Sequence, residues 1–194
     1  MTSESYKKDT QDFIQRLLRP ERAEMLDTAV ILGLCSVKTQ DSVAEIGCGP
    51  GYFTLPLAQA AVNGKVYALD IDREMLAACQ ERVESAHLNN VETLTCSEFD
   101  FPIEQGAMDG IFMAFVVQHP ADKTRLLRAA RELLRPGGWC AVVEWYRKET
   151  KTGPPLERGV DPGDLDTLAT GAGFQPMGWQ DLNGEHYLMT LQNS

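Results

Sequence analysis

No apolar run in this 194-residue chain approaches the length needed to cross a bilayer; the longest lies near Ile111 to Val117. The opening stretch from Met1 to Gln15 is polar and mixed in charge, without the apolar centre of a secretory signal, so a cytoplasmic location is the expectation. Cysteine pairing is missing too. Cys35, Cys48, Cys79, Cys96 and Cys140 are odd in number, scattered and free of any C-x-x-C, the pattern of reduced thiols rather than of a disulfide framework. The three histidines, His87, His119 and His186, are too dispersed to spell a metal motif, and no metal is expected. Cations are in deficit: 18 Lys and Arg face 28 Asp and Glu, a formal net charge of −10. That balance argues against a broad nucleic-acid footprint. Arg16, Arg19 and Arg22 make a small local basic cluster, read as solvated charges on helix faces. Low-complexity tracts and internal repeats are likewise absent, which leaves an ordinary globular composition of a size suited to one domain.

What is present is concentrated in Val43-Ala44-Glu45-Ile46-Gly47-Cys48-Gly49-Pro50-Gly51-Tyr52-Phe53-Thr54. A short apolar run holding an acidic residue is followed by three glycines at alternate positions and then by a helical pattern. That order describes a strand, a tight turn and a helix N-terminus. Without Cβ atoms in the way, a ligand is expected to lie directly against main-chain N–H groups of the turn. A second apolar run, Lys65-Val66-Tyr67-Ala68-Leu69, ends at Asp70. A carboxylate about 20 residues past such glycines is placed to accept hydrogen bonds from a ribose diol. The chain is therefore expected to bind a nucleoside-containing cofactor.

Further along, the period alternates. Apolar runs at Val43–Ile46, Val66–Leu69, Val91–Leu94, Ile111–Val117 and Cys140–Val143 read as buried parallel strands. Helical patterns lie between most of them, at Tyr52–Ala61, Arg73–Ser85 and Ala121–Leu134, the last stopped by Arg135-Pro136-Gly137-Gly138. Two helical patterns divided near Pro20 fill Asp9 to Leu34. After a helix from near Asp161-Pro162 to Gly171-Ala172-Gly173, the stretches Phe174–Leu182 and Glu185–Gln192 flank Asn183-Gly184, the preferred two-residue hairpin turn. The expected fold is α/β, a doubly wound sheet of about seven strands, mostly parallel, with an antiparallel C-terminal hairpin strand. It is expected as one domain over 1–194, with N-terminal helices in 1–40 packing on a core of 41–194.

The glycine spacing decides the cofactor class. A dinucleotide fold carries G-x-G-x-x-G, but here Tyr52 occupies the place of the third glycine. Glu45 at the strand end would repel a pyrophosphate and welcome a cation. Glu45-x-Gly47-x-Gly49-x-Gly51 resembles the first motif of the class I S-adenosylmethionine-dependent methyltransferases, whose fold is Rossmann-like. Leu69-Asp70-Ile71-Asp72-Arg73-Glu74-Met75-Leu76 resembles the family's second motif. Asp109-Gly110-Ile111 through His119, with Leu134-Arg135-Pro136-Gly137-Gly138, is similar to the subgroup of quinone-pathway and arsenite-type methyltransferases. A parallel sheet closed by an antiparallel last strand is what this resemblance implies.

The resemblance implies S-adenosyl-L-methionine as cofactor and a set of site residues. Gly47, Gly49 and Gly51, with Tyr52 and Phe53 behind them, would hold the methionyl end. Glu45 would stand near its ammonium, directly or through water. Asp70 would hold the ribose, and Ile71 would pack on adenine. Ser97 replaces an acid common in the family, so either its hydroxyl or Glu98 would accept from the adenine amino group. Phe99 or Phe115 would contact the base or the cofactor's flank, each with plain core packing as the alternative. A general base is needed only for a protonated nucleophile; His119 leads, with Glu144 second. The segment Glu144 to Arg158 is expected to cross the mouth of the site. The pocket is open, completed by the N-terminal helices, or closed by the second subunit of a homodimer.

A small-molecule methyl acceptor is favoured by elimination. No Asn-Pro-Pro-Tyr or Asp-Pro-Pro-Tyr follows the fourth strand, no Pro-Cys pair is available to attack a pyrimidine, and no compact acidic triad suggests metal assistance. The competing readings are a non-catalytic S-adenosylmethionine-binding regulatory subunit and a methyltransferase acting on protein or RNA.

Overall fold

The computed structural model describes residues 3–150 and 153–194, with side chains from Thr10 onward; Met1, Thr2, Lys151 and Thr152 lie outside the described residues. The five apolar runs form strands β1 (Ser42–Ile46), β2 (Lys65–Asp70), β3 (Val91–Thr95), β4 (Met108–Ala114) and β5 (Leu134–Trp145). They lie parallel in one seven-stranded sheet of order β3-β2-β1-β4-β5-β7-β6. The hairpin strands β6 (Phe174–Asp181) and β7 (His186–Asn193) close it, β7 running antiparallel between β5 and β6. The fold expected from the sequence is the fold observed.

Helices α4 (Thr54–Ala60), α5 (Arg73–Ser85), α6 (Lys123–Leu133) and α7 (Pro162–Ala172) make the crossovers. Their ends follow from local chemistry. The Asp72 and Asp122 carboxylates cap α5 and α6 by accepting from Glu74 N and Arg125 N. Pro162 starts α7, and Gly173 ends it in the left-handed conformation. The central strands β1, β2, β4 and β5 bury residues on both faces, whereas β3 is only half-buried and β6 largely exposed: Ala44, Ile111 and Met113 pack on one side with Leu126, Leu127 and Leu165, while Val43, Val66 and Phe112 pack on the other with Phe53, Leu57 and Ile31. Chain order reverses between β1 and β4, which are neighbours, so a crevice opens beyond their C-terminal ends.

Local departures from the sequence reading have physical causes. The N-terminal region holds three helices, α1 (Ser3–Leu17), α2 (Glu21–Met25) and α3 (Thr28–Leu34). The second break comes at Asp27, whose carboxylate accepts from Ala29 N and Val30 N and so starts a new helix. Strand β4 stops at Ala114 instead of Val117, because Phe115 takes φ +63°, which no strand accommodates. Helix α6 begins two residues later than expected, at its Asp122 cap, and the chain enters β5 directly, with Arg135–Gly138 looped out between the pairings Met108–Leu134 and Gly110–Trp139. The hairpin is closed by Leu182 N donating to His186 O, so its loop is longer than a two-residue turn. Only Gly184 has positive φ there; the Asn183 side chain instead accepts from the Glu185 and His186 amides.

Candidate active site

A cavity of about 440 Å³ occupies the crevice, within the range of small-molecule sites. Glu45, Gly47, Gly49, Tyr52, Phe53, Asp70, Ile71, Ser97, Glu98, Phe115 and His119 line it together. Sequence positions from four separate strand ends are thus brought into one wall.

The glycine turn is built differently from the sequence reading. Gly47 N and Cys48 N both donate to Leu69 O, Gly49 N donates to the Asp70 carboxylate at 2.8 Å, and Gly51 N donates to Cys48 O. The glycine amides therefore face into the protein and satisfy its own acceptors, as buried N–H groups must. None of the three is left to cradle a diphosphate. Glycine is needed at 47 because φ is +74° and a Cβ would collide with Val116 Cγ2. Gly51 does not line the cavity; it lies against α5, where a Cβ would stand 2.9 Å from Cys79 Sγ.

Glu45 is 2 % exposed, and its carboxyl accepts from Thr54 Oγ1 at 2.5 Å, tying the end of β1 to the start of α4. Burial raises its pKa well above the usual carboxylate range, only partly opposed by that hydrogen bond. Asp70 also accepts from Asp72 N, yet burial still raises its pKa.

Besides Gly51, two more expected residues stay outside the cavity. Phe99 packs against the core with the Arg125 guanidinium 4.4 Å over its ring, and Phe101 lines the cavity in its place. Glu144 is fully buried and does not line the cavity; its carboxyl accepts from Gln118 N at 3.1 Å and Trp145 N at 3.3 Å. It fastens the turn after β4 and touches nothing in the crevice, which removes it as a proton acceptor for substrate. Nor does any described residue of the segment 144–158 line the cavity, though Arg158 lies near enough to His119 to depress its pKa. His119 is exposed in the cleft, its pKa lowered first by desolvation against the wall and then by the Arg158 and Lys123 cations.

Phe13 and Leu17 of α1 and Arg22 of α2 also line the cavity, and sequence reasoning missed them. The solvated-charge reading therefore fails for Arg22, although Arg16 and Arg19 are exposed. The lining carries four carboxyl side chains, Glu45, Asp70, Asp72 and Glu98, against one guanidinium. Such a lining suits a ligand of net positive charge.

A profile described as a methyltransferase domain matches residues 43–138, the stretch from the β1 turn to the β5 entry. That stretch is a methyltransferase domain of the class I S-adenosylmethionine-dependent kind. The crystal structure of a SAM dependent methyltransferase from Aquifex aeolicus superposes with a TM-score of 0.89 at 26 % identity, over 94 % of this chain and 98 % of that one. The chain is also 29 % identical over 112 residues to the demethylmenaquinone methyltransferase of Bacillus mycoides, covering 57 % of this chain and 47 % of the relative. Over 188 residues it is 32 % identical to an uncharacterized 37.1 kDa protein in transposon TN4556 of Streptomyces fradiae, covering 88 % of this chain and 54 % of that protein. The chain spans about half the length of these curated relatives. S-adenosylmethionine is the family's cofactor, and the residues present fit it: an acidic lining for its sulfonium and ammonium, Asp70 for its ribose, and a turn with no glycine N–H left for phosphate. Among the described residues, no group of three or more His, Cys, Asp or Glu is placed to hold a metal ion. No described helix is long and apolar enough to cross a membrane.

Proposed function

We propose that this chain transfers the methyl group of S-adenosylmethionine to a small-molecule acceptor by in-line displacement. One observation carries the reading: a single cavity joins Glu45, Gly47 and Gly49 at the β1 turn to Asp70 at the end of β2 and to Ser97 and Glu98 after β3. The cofactor, when bound, supplies an electrophilic methyl and a neutral thioether leaving group. The chain then has to bind, orient and exclude water.

Gly47 and Gly49 receive the methionyl end where no side chain intervenes, and Glu45 places a buried carboxyl beneath it. Asp70 accepts from the ribose hydroxyls with the lone pairs its two backbone donors leave over. Ile71, 67 % exposed, offers an apolar face to the adenine, and Ser97 and Glu98 offer acceptors for its amino group. Phe115 and Tyr52 wall the far end, where an acceptor would enter. His119 stands in the cleft with its pKa below the ordinary histidine value, so it is neutral at physiological pH and free to take a proton from a protonated nucleophile. A net charge of −10 and a cavity of this size favour a small acceptor over nucleic acid. The likeness to a demethylmenaquinone methyltransferase supports the same class.

Two measurements test this. Calorimetric titration with S-adenosylhomocysteine is expected to show saturable binding; no heat of binding rejects the cofactor assignment. Incubation with methyl-labelled cofactor and a metabolite pool is expected to move label into a small-molecule fraction. Transfer that occurs only after a partner protein is added would instead identify a regulatory subunit.

A further inference from the structure

We infer that Arg22 forms a carboxylate subsite on the α2 wall of the cleft, its ligand supplied either by the methionyl end of the cofactor or by the methyl acceptor beside it. The inference rests on the methyltransferase reading and deepens it.

Arg22 lines the cavity with its guanidinium 4.8 Å over the Tyr52 ring and 5.4 Å from the Phe115 ring. Those residues follow the glycine turn and β4 respectively, so the guanidinium stands at the end of the cleft opposite Ser97 and Glu98. Nη1 donates to Leu17 O at 3.2 Å, but Nε is buried and has no hydrogen-bond partner. The ion pairs among the described residues are Lys65–Glu92, Arg135–Asp109 and Arg147–Asp164; Arg22 belongs to none. Burial without a counter-charge lowers its pKa. Two aromatic faces attract a guanidinium but accept none of its N–H groups in line. A buried charged donor left unmade is costly, and such a group in a ligand cavity is an incomplete interaction.

Placement supports the same conclusion. Helix α2 is held from two sides before any ligand arrives: Tyr52 Oη donates to Leu26 O at 2.9 Å, and Asn183 Nδ2 from the β6–β7 hairpin donates to Met25 O. The guanidinium is thereby fixed on a rigid backbone, and its planar fork matches a carboxylate's two oxygens. Among the described lining residues it is the sole Arg or Lys, facing Glu45, Asp70, Asp72, Glu98 and His119. A ligand of net positive charge that also carries a carboxylate, or a positive cofactor beside an anionic acceptor, satisfies both signs at once.

The test compares wild type, Arg22→Gln and Arg22→Lys, each confirmed folded by its thermal melt, by titration with four probes. S-adenosylhomocysteine binding at least tenfold weaker to Arg22→Gln, with its decarboxylated analogue bound alike by both, upholds the subsite and assigns the methionyl carboxylate. Equal S-adenosylhomocysteine affinity, with benzoate bound at least tenfold more tightly by saturated wild type than by saturated Arg22→Gln and benzamide bound alike, upholds it and assigns the acceptor. Arg22→Lys, which keeps the charge and loses the fork, is expected to fall between. Equal affinity of wild type and Arg22→Gln for all four probes overturns the proposal, as does an equal loss for the compounds with and without the carboxylate. Failure of wild type to bind S-adenosylhomocysteine at all overturns the cofactor reading instead, and the benzoate comparison then judges the subsite by itself.

Discussion

Replacing Glu144 by Gln should make the protein's stability less sensitive to rising pH between about pH 5 and about pH 8, and the size of the effect follows from where the carboxyl sits. Glu144 is fully buried at the end of β5, its oxygens accepting from Gln118 N and Trp145 N. Burial outweighs these donors and pushes its pKa up to about 8. An unfolded glutamate titrates near ~4.3, so the folded chain holds this proton more tightly by roughly 3.5 units. At about 1.4 kcal/mol per unit the ceiling is about 5 kcal/mol. Between the two pKa values the folded state binds more protons than the unfolded state. The contribution is therefore fully present below the unfolded value and is lost as pH rises through the folded one, with a slope of at most about 1.4 kcal/mol per pH unit. The neutral amide of the Glu144→Gln variant has no such proton to lose. Urea denaturation of both proteins from about pH 5 to about pH 9 should show the stability of wild type falling relative to the variant up to about pH 8, then running parallel. The comparison cancels Glu45, whose raised pKa acts with the same sign in both proteins. Two curves parallel across the whole range would refute the reasoning, because they would mean that Glu144 ionises in the fold as readily as in the unfolded chain.

Asp70→Asn should weaken S-adenosylhomocysteine binding by about 1–3 kcal/mol through the lost ribose acceptor, and unchanged affinity by calorimetry would reject that role. His119→Gln should leave cofactor affinity intact and, for an acceptor that must lose a proton, lower turnover by about 10²–10⁴-fold; full turnover would remove His119 from proton transfer. Gly51→Ala should destabilise the fold by about 1–3 kcal/mol, since φ is +83° and its Cβ would press on Cys79 Sγ at 2.9 Å. Gly49→Ala meets nothing closer than Leu17 Cδ1 at 3.9 Å, so backbone strain alone should cost about 1–2 kcal/mol; equal melting shifts for the two variants would count against a contact at Cys79.

The residues legible in the sequence are those whose role is set by local backbone. Three alternate glycines after a short apolar run admit few structures other than a strand, a tight turn and a helix, and Asp70 at the end of the next strand falls beside that turn by sheet pairing alone. The direction of the turn's amides was not legible, because they answer to Leu69 O and Asp70, acceptors that only the parallel β1–β2 register brings within reach. Yet the inward amides strengthen the choice of a cationic cofactor that Glu45 and the glycine spacing had suggested, by a route the sequence reading did not use. Glu144 was misplaced for a different reason: an acidic residue after an apolar strand at the crevice edge fits equally a proton acceptor in the cleft and a buried anchor for the neighbouring turn. Only the positions of Gln118 N and Trp145 N distinguish the two. Arg22 was the hardest to see. In a helix of five residues it has no amphipathic pattern to mark it as inward-facing. What buries it is the docking of α2 under Tyr52 and the β6–β7 hairpin, a contact between Met25 and Asn183 that spans 158 residues of sequence. A cation stranded in an acidic cleft can be inferred only after the chain has closed on itself, which is why ligand-binding charge on an N-terminal cover escapes a reading built on periodicity and motif spacing.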